Sequence, residues 1–166
     1  MRTREMVIAT RNPNKVRELK ALLRVKGIRW HSLKEFPQVP QVPERGRTFE
    51  QNARQKALFV ARATGCWALA DDSGLEVAAL GQAPGVRSAR FAGRHGDDHA
   101  NNVKLLRALR GVPDTKRDAR YRCVLALASP KKLLAVTEGT LRGRMAHVPR
   151  GRGGFGYDPL FLLPRF

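Results

Sequence analysis

The feature that most constrains the fold is a pair of short apolar runs, residues 6–9 (Met-Val-Ile-Ala) and 67–70 (Trp-Ala-Leu-Ala). Compact runs of this length between polar or turn-forming residues are typical of buried β-strands. Each run has a segment of helical spacing beside it, which is the alternation expected of an α/β protein. The two runs therefore predict strands that are covered by helices.

Capping residues mark the two helices. Asn12 or Asn14 is suited to cap the first helix, and Gly27 to end it. Thr48 is suited to cap the second helix, and Gly65 to end it. The apolar positions with helical spacing are Val16, Leu19, Leu22 and Leu23 in the first helix, and Phe49, Ala53, Ala57 and Val60 in the second.

The second half of the chain has a different order of elements. A loop rich in glycine and proline (81–96) precedes a helix predicted at 101–110, and strands are predicted at 121–129 and 133–140. Alternation in the first half and adjacent strands in the second predict a mixed β-sheet flanked by helices. The length of 166 residues favours a single domain.

The charge of the chain is extreme. Lys and Arg number 32 against 14 Asp and Glu, a formal net charge of +18. Such an excess favours a polyanionic partner, which is a nucleic acid, a nucleotide or an anionic surface. No apolar run is long enough to span a membrane. Cys66 and Cys123 have no CxxC partner and are predicted to be buried thiols in a reducing cytoplasm.

The turn after the first strand contains Thr10, Asn12 and Lys15. A helix that starts here would present unpaired backbone N–H groups and the positive end of its dipole, which together suit a phosphate. An ordinary capped turn with a solvated lysine explains the same residues and is the commoner arrangement. This turn alone leaves both interpretations open.

Asp71 and Asp72 directly follow the second apolar run. Because the strand is expected to end here, the two carboxylates would lie at the carboxyl edge of a sheet, where α/β sites form. Side chains alternate along an extended backbone, so we expect one aspartate to bind Mg²⁺ or orient a water and the other to anchor the loop. A simple turn at the start of a loop is the alternative.

Residues 151–158 contain four glycines, at 151, 153, 154 and 156. Glycine allows positive φ and close approach of the backbone to a ligand, which suits a phosphate, sugar or base. Phe155 and Tyr157 could supply rings that stack on a base. We therefore expect this segment to bind a ligand.

Five blocks in this order resemble the non-canonical purine nucleoside triphosphate pyrophosphatases, the inosine/xanthosine triphosphatase family. The blocks are 9–19 (ATRNPNKVREL), 48–57 (TFEQNARQKA), 70–77 (ADDSGLEV), 84–93 (PGVRSARFAG) and 153–161 (GGFGYDPLF). The resemblance implies an inosine triphosphatase-like α/β fold with a mixed central sheet and a substrate cleft between two lobes. It also implies hydrolysis of ITP, dITP and XTP to the monophosphate and pyrophosphate with Mg²⁺, and a cytoplasmic homodimer.

The resemblance assigns roles to residues at matching positions. Asp72 would be the general base and a metal ligand, Glu44 a second metal ligand, and Lys15 and Lys56 catalytic cations. Asp71 would support Asp72, and Phe155 would stack on the purine. The implied substrate-binding residues are Thr10, Arg11, Asn12, Pro13, Asn14, Lys15, Ser73, Phe155, Gly156, Tyr157 and Asp158.

The family continues past the Asp-Pro-Leu-Phe block with a lysine and a Ser-His-Arg segment that contact the substrate. This sequence stops at Phe166, so the expectation is one pyrophosphatase domain over residues 1–166 without the usual C-terminal segment. Two alternatives remain at this point: a family member that only binds nucleotides, and a basic nucleic-acid-binding protein. The enzyme is favoured over a nucleic-acid-binding protein, because no recognition motif accompanies the charge.

Overall fold

The computed structural model describes residues 3–151 and 153–163; the chain end named above, Pro164 to Phe166, lies outside the described residues. The described residues form three helices and six strands: β1 (Arg4–Ile8), α1 (Pro13–Leu22), β2 (Ile28–Ser32), α2 (Phe49–Thr64), β3 (Trp67–Val77), α3 (Asp98–Ala108), β4 (Asp118–Ala128), β5 (Leu133–Met145) and β6 (Phe161–Leu162). Short 3₁₀ turns lie among them.

The sheet is mixed, as the sequence predicts. Its strands follow the order β2-β1-β3-β4-β5-β6. β1 pairs in parallel with both β2 and β3, and β5 pairs antiparallel with β6. The prediction of a mixed α/β sheet with helices is confirmed.

The chain groups into two compact units. The first unit contains the described residues up to Asp72 together with 124–138, and the second contains 73–123 and the described residues from Gly139 onward. The expectation of one pyrophosphatase domain stays a prediction. In the part of the chain that the structure describes, no helix is long and apolar enough to cross a membrane.

In the first unit, β1 is the buried strand that its apolar run predicts. Val7 and Ile8 have no exposed surface, and Ile8 is in register with Leu69 of β3. Helix α1 differs from the prediction, because it ends at Leu22, well before Gly27, and buries none of its residues. Leu22 is 79% exposed, so the apolar spacing of α1 does not mark a core face.

Helix α2 follows its prediction closely. The Thr48 hydroxyl accepts a hydrogen bond from the N–H of Gln51, and Gly65 ends the helix at φ 72°. The predicted apolar face is buried. Asn52 and Lys56 lie one turn apart on that same buried face, 1% and 8% exposed. The helix therefore carries two polar side chains into the interior of the first unit.

The second apolar run is only the start of its strand. β3 continues through Asp71 and Asp72 to Val77, so the prediction that the strand ends at the two aspartates is wrong. The expected sheet edge still exists, because β1 pairs with β3 only as far as Leu69. Past that point β3 continues beyond the end of its parallel neighbour, so Asp71 and Asp72 follow the last residue that pairs with β1.

In the second unit, a core of aliphatic residues surrounds the ring of Tyr157. Helix α3 begins at Asp98 rather than 101, because the Asp97 carboxylate caps it by accepting from the N–H of Ala100. Arg117, 2% exposed, donates to the backbone carbonyls of Leu109, Met145 and Ala146. This arginine joins the end of α3 to the end of β5.

Both cysteines are half-buried, not buried as predicted. Cys66 lies in the turn between α2 and β3, where its N–H donates to the Thr64 hydroxyl. Cys123 lies on β4, in a stretch of half-buried residues (120–123) that precedes the buried Val124.

Candidate active site

In the first unit, two lysines and three carboxylates form what we call the charged cluster: Lys15, Glu44, Lys56, Asp71 and Asp72. Lys15 Nζ lies 2.5 Å from Asp71 Oδ2, which joins the first turn of α1 to β3. Lys56 Nζ lies 2.6 Å from Glu44 Oε1 and donates to the backbone carbonyl of Asp71 at 2.8 Å. Residues widely separated in the sequence thus meet in one place.

Asp71 and Asp72 contact different partners, as alternation along a strand predicts. Asp71 binds Lys15, whereas Asp72 Oδ2 accepts a hydrogen bond from Asn52 Nδ2 at 2.8 Å. The other side of the Asn52 amide accepts from the N–H of Gly46 at 2.7 Å. Asn52 therefore ties Asp72 to the loop that carries Glu44.

Burial is the main influence on the Asp72 carboxyl. Desolvation, helped by the nearby charge of Glu44, raises the pKa of Asp72 to about 6 against the opposing effects of Lys56, Asn52 and Lys15. For Lys15, burial lowers the pKa, but the charge and hydrogen bond of Asp71 outweigh it, so the pKa is raised overall. Lys15 is therefore a fixed cation, and Asp72 can hold or release a proton near neutral pH.

The turn after β1 is capped by Asn12, one of the two caps that the sequence predicts. The Asn12 side chain accepts from the N–H groups of Asn14 and Lys15, at 2.9 and 3.4 Å, and Thr10 accepts from the N–H of Asn12. The first-turn N–H groups of α1 are thus not left unpaired for a phosphate, because Asn12 caps them. Arg11 donates to the carbonyl of Val39. Phosphate binding by residues 10–15 stays a prediction.

The second unit contains what we call the glycine loop, residues 153–158. Gly154 has φ +80°, and a Cβ at this position would lie 2.9 Å from Cγ of Asp158. Asp158 Oδ2 accepts from the N–H of Phe155, and Tyr121 donates to Asp158 Oδ1. Glycine is needed at position 154 because the Asp158 carboxylate folds back over it.

Tyr157 does not offer a face for stacking. Its side chain is 4% exposed in the core of the second unit, and its hydroxyl donates to the carbonyl of Ser88 at 2.9 Å. The expectation that its ring stacks on a base is wrong, because the ring is packed in the apolar core and has almost no exposed face. Phe155 is half-buried and Asp158 exposed; Ser73 is half-buried within β3. Their substrate contacts, and any through the Tyr157 backbone, stay predictions.

Three polar residues that contact these groups escaped the sequence analysis. Asn52 holds Asp72, as described above. Asp98 and Asn102 hold Gly156 of the glycine loop. Asn52 could have been found from the sequence, because it is a polar residue on the apolar face of α2. The spacing of residues in α3 does not distinguish Asp98 and Asn102 from solvent-exposed residues.

Among residues 3–151 and 153–163, no group of three or more His, Cys, Asp or Glu side chains could hold a metal ion. Glu44 nevertheless lies close enough to Asp72 for its charge to raise the pKa of that carboxyl. Mg²⁺ is typically held by one or two carboxylates together with phosphate oxygens of the substrate and water. Two carboxylates therefore fit such a shared site, and they do not make a site complete in protein ligands alone.

Solved structures with this fold define its class. A HAM1 protein from Coxiella burnetii superposes with a TM-score of 0.87 at 43% identity, covering 97% of this chain and 82% of that one. A nucleoside-triphosphatase / dITP/XTP pyrophosphatase from Mycobacterium abscessus superposes with a TM-score of 0.82 at 45% identity, covering 96% and 83%. The fold is therefore that of a class of mixed α/β proteins of known structure.

The family follows from the sequence comparisons. The model of the Ham1 family matches residues 6–166. A protein of Desulforamulus reducens named dITP/XTP pyrophosphatase is 52% identical over 98% of this chain and 81% of its own length. One of the same name from Geobacillus kaustophilus is 52% identical over 97% and 79%. The chain belongs to the Ham1 family, and the resemblance inferred from the sequence is confirmed.

Proposed function

We propose that this chain hydrolyses the deaminated purine nucleotides ITP, dITP and XTP to the nucleoside monophosphate and pyrophosphate. The name dITP/XTP pyrophosphatase of its relatives agrees with the activity that the resemblance implies. The observation that carries the proposal is the charged cluster, in which a buried carboxylate of raised pKa lies among two ammonium groups. An enzyme that attacks a phosphoric anhydride needs both features.

Asp72 is the general base of the proposed reaction. A base is most effective when its pKa lies near the working pH, and the pKa of Asp72 is about 6. Water attacks the α-phosphorus and gives a proton to the Asp72 carboxylate, while the bond to the oxygen bridging the α- and β-phosphorus breaks. The electron pair of that bond leaves with pyrophosphate. Asn52 keeps Asp72 Oδ2 in place during this step.

Lys15 and Lys56 supply positive charge for the triphosphate. In the charged cluster they are balanced by three carboxylates, so the cluster alone is too acidic to attract a polyanion. We infer that Mg²⁺ binds with the substrate, held by Asp72 and Glu44. When bound, it neutralises phosphate charge and favours ionisation of water. Thr10 to Lys15 are the proposed phosphate contacts.

The glycine loop is the proposed nucleoside contact, with Phe155 against the purine. Ser73, Gly156, Tyr157 and Asp158 complete the proposed set. From the resemblance and the composition we also propose a homodimer in the cytoplasm. Sedimentation at equilibrium tests the dimer, since twice the mass of the chain is expected, and a monomer would contradict it.

The proposed function is tested by measuring pyrophosphate release from ITP, XTP, GTP and ATP with Mg²⁺. We expect preference for ITP and XTP, and loss of about 10²–10⁴-fold in kcat for Asp72→Asn with nucleotide binding retained. Asp118→Asn is the matched control, since that side chain is 71% exposed. Unchanged pyrophosphate release by Asp72→Asn contradicts the assignment of the base. No turnover together with salt-sensitive RNA or DNA binding contradicts the function.

A further inference from the structure

Two side chains of α3 hold the backbone of one residue of the glycine loop, Gly156. The N–H of Gly156 donates to Asp98 Oδ2 at 2.8 Å, and Asn102 Nδ2 donates to the carbonyl of Gly156 at 2.8 Å. Residues at positions i and i+4 of a helix lie on one face, so Asp98 and Asn102 act together on one side of the loop. They bind a donor and an acceptor of the same residue.

The other hydrogen bonds that the structure records in the glycine loop, including the one from Tyr121 to Asp158, do not involve Gly156. Phe155 and Asp158 exchange hydrogen bonds through the Asp158 carboxylate and backbone, and the Tyr157 carbonyl accepts from the N–H of Leu160. The hydroxyl of Tyr157 donates to the Ser88 carbonyl. Asp98 and Asn102 are thus the side chains outside the loop that the structure records on Gly156 itself.

Gly156 needs such support because of its backbone conformation. Its φ of +60° lies in the left-handed region, and it precedes the 3₁₀ turn Asp158–Leu160 instead of belonging to a strand. The peptide groups on either side of Gly156 are therefore not fixed by the hydrogen bonds of a β-sheet. The Gly156 N–H belongs to the peptide group that joins Phe155 to Gly156, so its hydrogen bond to Asp98 also restrains the backbone of Phe155.

The side-chain oxygen of Asn102 indicates that this residue has a role other than stabilising the fold. Its Oδ1 is buried and accepts no hydrogen bond from the residues that the structure describes. A buried acceptor without a donor is costly. An apolar residue would avoid this cost but would lose the hydrogen bond to Gly156. The side chain is thus kept in a position where its main polar contact is the loop.

We propose that Asp98 and Asn102 are positioning residues that fix the backbone on both sides of Gly156, and with it Phe155, in the conformation that receives the nucleoside part of the substrate. The inference rests on the proposed function, which makes the glycine loop the nucleoside contact. A loop held in its bound conformation loses less conformational entropy when the ligand binds. The pair therefore acts on nucleoside affinity and leaves the attack of water at phosphorus unchanged.

The chemistry of the two residues predicts an order of effects among variants. Asp98→Asn keeps an acceptor oxygen for the Gly156 N–H, whereas Asp98→Ala removes it. Asn102→Asp replaces the donor with a carboxylate that repels the Gly156 carbonyl, so it is the most harmful change. Helix damage alone would not follow this order. Val103→Ala is the matched control, because Val103 directly follows Asn102 on α3 and is 43% exposed.

Two kinds of measurement test the proposal. Hydrogen–deuterium exchange of the Gly156 amide reports directly on its hydrogen bond to Asp98. This measurement does not require the protein to be catalytically active. Steady-state kinetics with ITP, with pyrophosphate as product inhibitor, report its consequence. For Asp98→Ala we expect exchange of this amide to be faster and KM to rise on the order of tenfold, since one charge-assisted hydrogen bond is lost. We expect kcat to stay within about twofold and the inhibition constant of pyrophosphate to be unchanged. The KM of Asp98→Asn should lie between the values of the wild type and Asp98→Ala.

The outcomes separate the inference from the proposed function. Faster exchange of the Gly156 amide with an unchanged KM overturns the positioning role, as does an equal effect in Val103→Ala. If the wild-type chain releases no pyrophosphate, the proposed function fails, and the dissociation constant of inosine monophosphate replaces KM. An unchanged dissociation constant in Asp98→Ala then overturns the inference, as does failure of the wild-type chain to bind that nucleotide.

Discussion

The charged cluster and the glycine loop place their functional groups by different kinds of contact. In the charged cluster, ammonium groups lie 2.5 and 2.6 Å from carboxylates on other elements of the first unit. In the glycine loop, most contacts are hydrogen bonds to backbone N–H and C=O groups. Charge sets proton affinity and attracts ions, whereas backbone contacts set shape.

The largest effect that would test this difference is expected from Lys56→Met. The change removes the ammonium group beside Glu44 and the Asp71 carbonyl. We expect kcat/KM with ITP to fall by about 10²–10³-fold, which is typical when one group that stabilises transition-state charge is removed. Lys26→Met, at an exposed position, is the control. A loss of thermal stability with kcat/KM retained would show that Lys56 serves only the fold.

A shape effect in the glycine loop is expected from Gly154→Ala. The left-handed φ of +80° costs an alanine about 1–2 kcal/mol, and its Cβ would also collide with the Asp158 carboxylate. Urea unfolding should therefore show a lower free energy of unfolding. Gly153→Ala is the matched control, because a Cβ there has nothing within 4 Å. Equal stability of the two variants would contradict the close approach of Asp158.

The same two regions show what the sequence could predict. The buried strand at 6–9 and the caps Asn12 and Thr48 were predictable, because apolar runs and capping side chains act locally. The end of β3 was not, since whether a strand continues past two aspartates depends on partners elsewhere in the chain. The lysine–carboxylate contacts join residues as distant as Lys15 and Asp71, which no spacing rule reaches.

The residues of the candidate site also fall into two groups: those that the sequence indicates and those whose contacts only the structure reveals. The five matching blocks marked Asp72, Lys56 and the glycine loop because of their resemblance to a family. Asn52 and Asn102 lie in helices, where an asparagine is most often a solvated surface residue, and their contacts exist only in three dimensions. Tyr157 was expected to stack on a base because its ring is aromatic. The burial that excludes this role depends on core residues from several elements.

A smaller effect of charge is expected on the Asp72 carboxyl itself. Glu44 raises the pKa of Asp72 and Lys56 lowers it, so the two variants should move it in opposite directions. Carbon-13 NMR of the metal-free chain should give a value of about 6 in the wild type. We expect Glu44→Gln to lower it and Lys56→Met to raise it, each by less than about one pH unit. Movement in the same direction would contradict electrostatic control.

The smallest effect is expected from a charged contact outside the cluster whose carboxylates are more exposed than those of the cluster. It tests whether burial of the carboxylates strengthens the interactions of the cluster. His31 contacts Glu35 and Glu5, and hydrogen bonds to Glu35 and then Glu5 raise its pKa. Its contribution to stability is present below the unfolded pKa of about 6.5 and is lost as pH rises through the higher folded value. His31→Gln should therefore lower the free energy of unfolding at pH 5.5 by at most about 1 kcal/mol and have less effect at pH 9. His95→Gln, at an exposed position, is the control, and a larger loss at pH 9 than at pH 5.5 would contradict the sign. If His31→Gln lowers the free energy of unfolding at pH 5.5 as much as removal of an ion pair in the charged cluster does, burial does not strengthen the ion pairs of that cluster.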